Sequence, residues 1–316
     1  MTQPATGTDR ASLGSPLDGR LESPADRPTT DRLAADTAMG PVTLDVADLA
    51  GMTAFYRDAV TLQVIAEEGP LVTMGRGTTP IVVLRHSPQL KHAAPGSAGL
   101  FHTAILFPTQ PALAAALASM ARAGARYVGS ADHLVSKAFY FEDPEGNGIE
   151  LYWDRDRSQW SWVHGQVEMD NTFLDAQAFL AEHLTEDGIA RPDAGDAVVG
   201  HVHLSVGDIR SAREFYVDRL GFDTTLDWGG QALFVSAGGY HHHMAMNVWN
   251  SRGAGPRFPS LGLGQVDIVL PTGDDVGELV ERMRHYGVRG DDDGRSVTLL
   301  DPWRNTIRVE VAGAPR

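Results

Sequence analysis

The chain has 316 residues, 42% of them hydrophobic and 21% charged, enough for two globular domains with sizeable cores. Its net charge of −15 argues against a general nucleic-acid binder, which needs basic surface to displace counterions. The absence of cysteine excludes disulfides, thiolate zinc sites, iron–sulfur clusters and cysteine nucleophiles.

Residues 1–38 scatter Pro, Thr, Asp and Arg without the apolar run of a secretory signal, and are read as a disordered extension. No stretch approaches the ~18 apolar residues of a membrane span. No membrane partner is expected, and a cytoplasmic location is.

From residue 39 the chain repeats itself. Val42–Val64 and Val202–Thr224 each start as an alternating strand ending in an aspartate, Asp48 or Asp208. Seven residues later each carries a Phe–Tyr pair, Phe55-Tyr56 or Phe215-Tyr216, inside an amphipathic helix. Gly221 follows the second helix as a C-cap glycine would, and Thr61 holds that place in the first. A related pair of strands, His102–Phe107 and Gln265–Leu270, is followed by Pro-Thr and by helices predicted over Ala112–Ala123 and Asp275–Tyr286. Both of these units close on a turn and a strand. The turns are Asp143-Pro144-Glu145-Gly146-Asn147 and Asp301-Pro302-Trp303-Arg304-Asn305, whose Asp-Pro and Asn residues suit tight reversals.

Four units of strand, helix and about three strands result. Residues 39–153 hold modules 1 and 2, residues 199–316 hold modules 3 and 4, and a linker over 154–198 carries a helix predicted at Thr172–Leu184. A βαβββ unit cannot bury its sheet alone, so modules must pair. The expected class is α+β, with four modules forming two domains of curved mixed sheet.

This pattern resembles the vicinal oxygen chelate superfamily of glyoxalases, bleomycin-resistance proteins and extradiol dioxygenases. Within it the chain is most similar to the two-domain catechol 2,3-dioxygenase group. The stretches Gly200-His201-Val202-His203-Leu204, Ser236–His243 and Asp143–Glu150 carry the resemblance. The family places one metal ligand on a module's first strand and an acidic ligand on its last. In modules 1 to 4 the first-strand slot holds Pro41, His102, His201 and Gln265 in turn. The last-strand slot holds Glu150 in module 2 and Arg308 in module 4.

The resemblance therefore implies a metal site of His102, Glu150 and His201, with Pro41, Gln265 and Arg308 unable to form another. Two histidines and a carboxylate suit non-heme Fe(II), leaving positions open for substrate and O2; Mn(II) fits the same donors. One complete site requires module 2 to pair with 3 and module 1 with 4. His203 lies on the same strand face as His201 and is the alternative ligand. A satisfied structural histidine is the commoner fate of any one strand histidine.

For the acid/base group the resemblance points to the run His241-His242-His243, with His242 fitting best and His241 or His243 as alternatives. Imidazole suits the task because it titrates near neutral pH. Tyr140 and His133 match family residues that hydrogen-bond substrate oxygen, although a buried tyrosine with a satisfied hydroxyl is the ordinary alternative. Trp249, Phe258, Met244 and Met246 are candidates for the pocket or, more simply, for the core.

The implied activity is extradiol ring cleavage of a catechol-type small molecule with O2, and a homo-oligomer is an open expectation beside it. A glyoxalase-like metal-dependent isomerase or lyase is one competitor. It is weakened because Tyr240–Trp249 has no carboxylate to serve as the fourth ligand such enzymes use. A metal-free small-molecule (antibiotic) binding protein is the other.

Overall fold

The computed structural model describes residues 31–313. Module 1 comprises β1 (Ala38–Val46), α1 (Leu49–Asp58), β2 (Gln63–Glu68), β3 (Leu71–Arg76) and β4 (Thr79–His86). Module 2 comprises β5 (Gly99–Leu106), α2 (Gln110–Arg122), β6 (Arg126–Asp132), β7 (Ser136–Glu142) and β8 (Gly148–Asp154). The linker carries β9 (Trp162–Val163), β10 (Gln166–Val167), β11 (Thr172–Phe173), α3 (Ala176–His183) and α4 (Glu186–Ala190). Module 3 contains β12 (Val198–Ser205), α5 (Ile209–Arg213) continued by a π-helical turn over Glu214–Arg219, β13 (Asp223–Asp227), β14 (Ala232–Ser236) and β15 (Met244–Asn247). Module 4 contains β16 (Gly262–Leu270), α6 (Gly273–His285), β17 (Asp291–Asp292), β18 (Ser296–Leu300) and β19 (Thr306–Val311).

Modules 2 and 3 share a nine-stranded sheet of order β11-β6-β7-β8-β5-β12-β15-β14-β13. Modules 1 and 4 share an eight-stranded sheet of order β17-β18-β19-β16-β1-β4-β3-β2. The pairing is thus the permuted one. In each sheet the first strands of the two modules meet antiparallel at the centre, β5 with β12 and β1 with β16. Each first strand is flanked in parallel by its own module's last strand.

The repeated residues tie one sheet to the other. Tyr56 of α1 donates to Asp143 Oδ2 at 3.2 Å, and Tyr216 donates to Asp301 Oδ2 at 2.9 Å. Each aspartate also accepts backbone and side-chain N–H groups from its own turn, including both donors of Asn147 or Asn305. The helix of each odd module is thereby fastened to the last turn of the next module in the other sheet. These aspartates are buried, and such a group is tolerated because its oxygens are hydrogen-bonded.

Local chemistry moves several expected boundaries. α2 and α6 begin two residues before the apolar pattern does, because Thr109 and Thr272 cap them by accepting from Ala112 and Asp275 N–H. The linker helix starts at Ala176 rather than Thr172. Asp175 caps it through Gln177 and Ala178 N–H, while Thr172–Phe173 pairs with β6 as an edge strand. Thr61 and Gly221 both have positive φ, 67° and 100°, so the threonine is held in the glycine-favoring region where Arg76 donates to its hydroxyl.

Of the expected N-terminal extension, residues 1–30 lie outside the described residues. Leu33 is buried, and its N–H donates to Gly221 O at 2.8 Å. Ala35 O lies 2.1 Å from where a Cβ on Gly238 would sit, so only glycine fits there. Gly238 and Gly239 both have positive φ, and this reversal carries the chain into His241–His243.

Candidate metal centre and active site

The centre of the nine-stranded sheet explains how distant residues converge. Ala104 on β5 pairs in parallel with Glu150 on β8 and antiparallel with His201 on β12. Glu150, Ala104 and His201 therefore form a row across three strands, and His102 lies two residues from Ala104 on the same face. The methyl group of Ala104 leaves a gap over which the longer side chains meet. Glu150 Oε2 is 3.0 Å from His102 Nε2 and 3.2 Å from His201 Nε2. All three residues are buried, and their ligand atoms lie within 4.8 Å of one another.

The donors fit a divalent cation. His102 Nε2 is buried without a hydrogen-bond partner although it lies 3.0 Å from the carboxylate oxygen, so the two atoms are close but misaligned. Separations near 3 Å are those of neighboring ligands about 2.1 Å from one ion. Burial alone would raise the Glu150 carboxyl, but the fields of His201 and His102 and their contacts hold it well below 4.5. Burial lowers His201 to about 4 against the opposing pull of Glu150, so the imidazole is neutral and ready to ligate.

Tyr140 on β7 lies directly opposite Glu150 and extends the row. Its hydroxyl is 2.6 Å from His133 Nε2, and His133 Nδ1 is 3.0 Å from the Asp170 carbonyl oxygen. A carbonyl only accepts, so His133 carries its proton on Nδ1 and Tyr140 donates to Nε2. Burial and the charge of Glu150 push the Tyr140 hydroxyl well above 10.

The three histidines of the run diverge. His242 packs its ring 4.1 Å from that of His201 and faces the cavity. His241 is fully buried behind it, with Nδ1 2.7 Å from His242 Nδ1 and Nε2 2.9 Å from Asp154 Oδ1. His243 Nδ1 accepts from Ala237 N–H at 3.2 Å, and burial lowers its imidazole to about 3. His203 sits opposite His102 in register and pairs its Nε2 with Asn247 Nδ2 at 3.0 Å, apart from the cluster of three ligand atoms.

These groups open on a cavity of about 550 Å³. Phe101, Trp228, Phe234 and Trp249 form its aromatic wall, with Val128, Leu226 and Met169 beside them. Trp249 thus belongs to the cavity. Met244 and Met246 are fully buried in the core, and Phe258 is 81% exposed.

Residues 38–151 and 198–309 match the model of the glyoxalase/bleomycin resistance protein/dioxygenase superfamily. The chain belongs to that superfamily. It is 36% identical over 272 residues to the catechol-2,3-dioxygenase of Bacillus subtilis (strain 168), covering 84% of this chain and 94% of the relative. The crystal structure of a candidate dioxygenase from Bacillus subtilis subsp. subtilis str. 168 superposes with a TM-score of 0.62 at 13% identity, covering 90% of this chain and 87% of that one. Glyoxalase I from Zea mays shares the fold with a TM-score of 0.53 at 14% identity, covering 87% and 92%. Among the described residues, no helix is long and apolar enough to cross a membrane.

Several members of this site escaped the sequence. Asp154, Tyr240, Asp170 and Asn247 are brought in by contacts across tens of residues. One signal was available: alternation along β8 places Glu150, Tyr152 and Asp154 on one face.

Proposed function

We propose that the protein is an extradiol dioxygenase that opens the ring of a catechol-type diol with O2, using Fe(II) held by His102, Glu150 and His201. The observation that carries this reading is the buried pair of imidazoles and one carboxylate converging beneath an aromatic-walled cavity. The name of the Bacillus relative, catechol-2,3-dioxygenase, supports it.

When bound, iron supplies Lewis acidity toward the diol and a path for electrons from diol to O2; Mn(II) suits the same donors. The ring C–C bond beside the diol breaks, both atoms of O2 enter the product, and no outside reductant is needed. Phe101, Phe234 and Trp249 bind the ring and exclude water from the site. His242 accepts a proton from one diol hydroxyl and later returns it. Tyr140, whose proton goes to His133 Nε2, presents its hydroxyl oxygen as an acceptor to a substrate hydroxyl.

The test is Fe(II) reconstitution without O2, then O2 uptake with catechol and substituted catechols while watching for a yellow ring-opened product. His102→Ala, His201→Ala and Glu150→Ala should each abolish both iron retention and uptake. Retained iron with no uptake on any catechol points instead to isomerase or lyase chemistry. No retained iron in the unsubstituted protein favors a binding protein.

A further inference from the structure

Behind His242 runs a buried line of hydrogen bonds that the reaction above does not use. Asp154 Oδ1 lies 2.9 Å from His241 Nε2, and His241 Nδ1 lies 2.7 Å from His242 Nδ1. Tyr240 donates to the other oxygen of Asp154 at 2.7 Å, and its own oxygen lies 2.7 Å from Tyr152 Oη. The His241 ring is held between Tyr240, 4.1 Å away centroid to centroid, and Trp160, 5.2 Å away.

With both imidazoles neutral, the donor inventory leaves one assignment. A carboxylate only accepts, so His241 Nε2 carries the proton facing Asp154. A neutral imidazole protonated on Nε2 has a bare Nδ1, which therefore accepts. The donor to it is His242 Nδ1–H, and His242 is then left with a bare Nε2. With Nδ1 committed to His241, Nε2 is the nitrogen available to the cavity that His242 lines.

We propose that Asp154 and His241 are positioning residues that fix the orientation and tautomer of His242, presenting its Nε2 to the cavity as a ready acceptor. A free imidazole exchanges between tautomers and turns about its side-chain bonds; this line removes both freedoms. The proton-transfer use of that nitrogen rests on the extradiol reading, whereas the tautomer itself does not.

The experiment reads the tautomer directly, by long-range proton–nitrogen correlation on the metal-free full-length chain labeled with 15N-histidine at neutral pH. His242→Ala and His241→Phe assign the signals. The expected result is His241 protonated on Nε2 and His242 on Nδ1. In His241→Phe, which keeps a ring between Tyr240 and Trp160, the His242 signals should move to a tautomer mixture. Iron-loaded turnover should fall roughly tenfold or more in kcat with KM little changed. Asp154→Ala should disturb both signals, and Asp154→Asn, which keeps an acceptor oxygen, should restore them in large part. A wild-type His242 protonated on Nε2, or a His241→Phe protein with unaltered His242 signals, overturns the proposal. Should the iron-loaded wild type cleave no catechol, or His242→Ala cleave at full rate, the functional reading falls while the tautomer measurement still decides this one.

Discussion

Across the sheet of modules 2 and 3, the row Tyr140, Glu150, Ala104, His201 runs over four neighboring strands, with His102 two residues along from Ala104. The sheet of modules 1 and 4 repeats the plan: Thr298, Arg308 and Asp267 stand in register, with Gln265 two residues along and Pro41 in the slot of His201. In this second sheet the polar groups close on one another. Gln265 donates to Asp267 at 2.6 Å, and Arg308 donates to Glu310 at 2.5 Å and to Ser296 at 3.3 Å. In the first sheet a methyl group stands where Asp267 would, and a buried imidazole nitrogen has no hydrogen-bond partner. One backbone therefore supports two solutions. Matched donors and acceptors make one row a structural centre, while an unmet donor set over a small residue leaves the other able to hold an ion.

The largest effect is expected from removing the gap itself. Ala104→Leu should weaken metal binding at least about 100-fold, because its side chain occupies the space over which Glu150 and His201 meet; overpacking costs about 1–3 kcal/mol of stability. Calorimetric metal titration, with circular dichroism to verify the fold, measures this. One equivalent of tightly bound metal in Ala104→Leu would show that the ion lies elsewhere.

Acid should separate the two sheets next. His201 and His243 are lowered to about 4 and about 3 by burial, and burial also holds His203 and His242 well below 6.5. Below pH ~6.5 the unfolded chain takes up protons that these folded imidazoles refuse, so stability falls as pH falls toward 4. Each such group contributes up to about 1.4 kcal/mol per pH unit in that window. Glu150, held below its ordinary value, acts in the same direction below about pH 4.5. The histidines within modules 1 and 4, His86 and His285, are exposed rather than buried. Hydrogen exchange on the metal-free protein at pH 7, 6 and 5 should show protection lost first from β5, β8, β12 and β15. Equal loss in β1 and β16 would contradict the assignment.

The repeats made much of this legible. Modular periodicity marks all four units, and comparing slots brings His102, Glu150 and His201 together because corresponding positions in related modules occupy corresponding places in a sheet. What stayed hidden depends on register between strands far apart in sequence. Ala104 is an unremarkable alanine until Glu150 and His201 flank it. Asp154 reads as the last residue of a strand until His241 reaches it. Trp249 passes for a core residue because burial of an aromatic end depends on how β15 leaves the sheet.

Tyr140→Phe tests the outer end of the metal row with a smaller effect. The substitution removes one hydroxyl and leaves the three proposed ligands in place. Iron content should stay unchanged while kcat falls about tenfold, the worth of one hydrogen bond to a reacting oxygen. A loss of iron instead would make Tyr140 a support for Glu150, its partner across β7 and β8.

The smallest effect is expected from the converse substitution. Asp267→Ala puts a methyl group in the second sheet at the place Ala104 holds in the first. If a gap alone made a metal site, this protein would bind a second equivalent. It should not, because the donors around that gap would be Gln265 and Arg308, a neutral amide and a cation that repels divalent ions. The cost should be about 1 kcal/mol in urea unfolding, from the acceptor Gln265 loses, with turnover unchanged. A metal titration that still ends at one equivalent assigns the difference between the sheets to the donor set as well as to the space. A second equivalent would mean that space alone decides it.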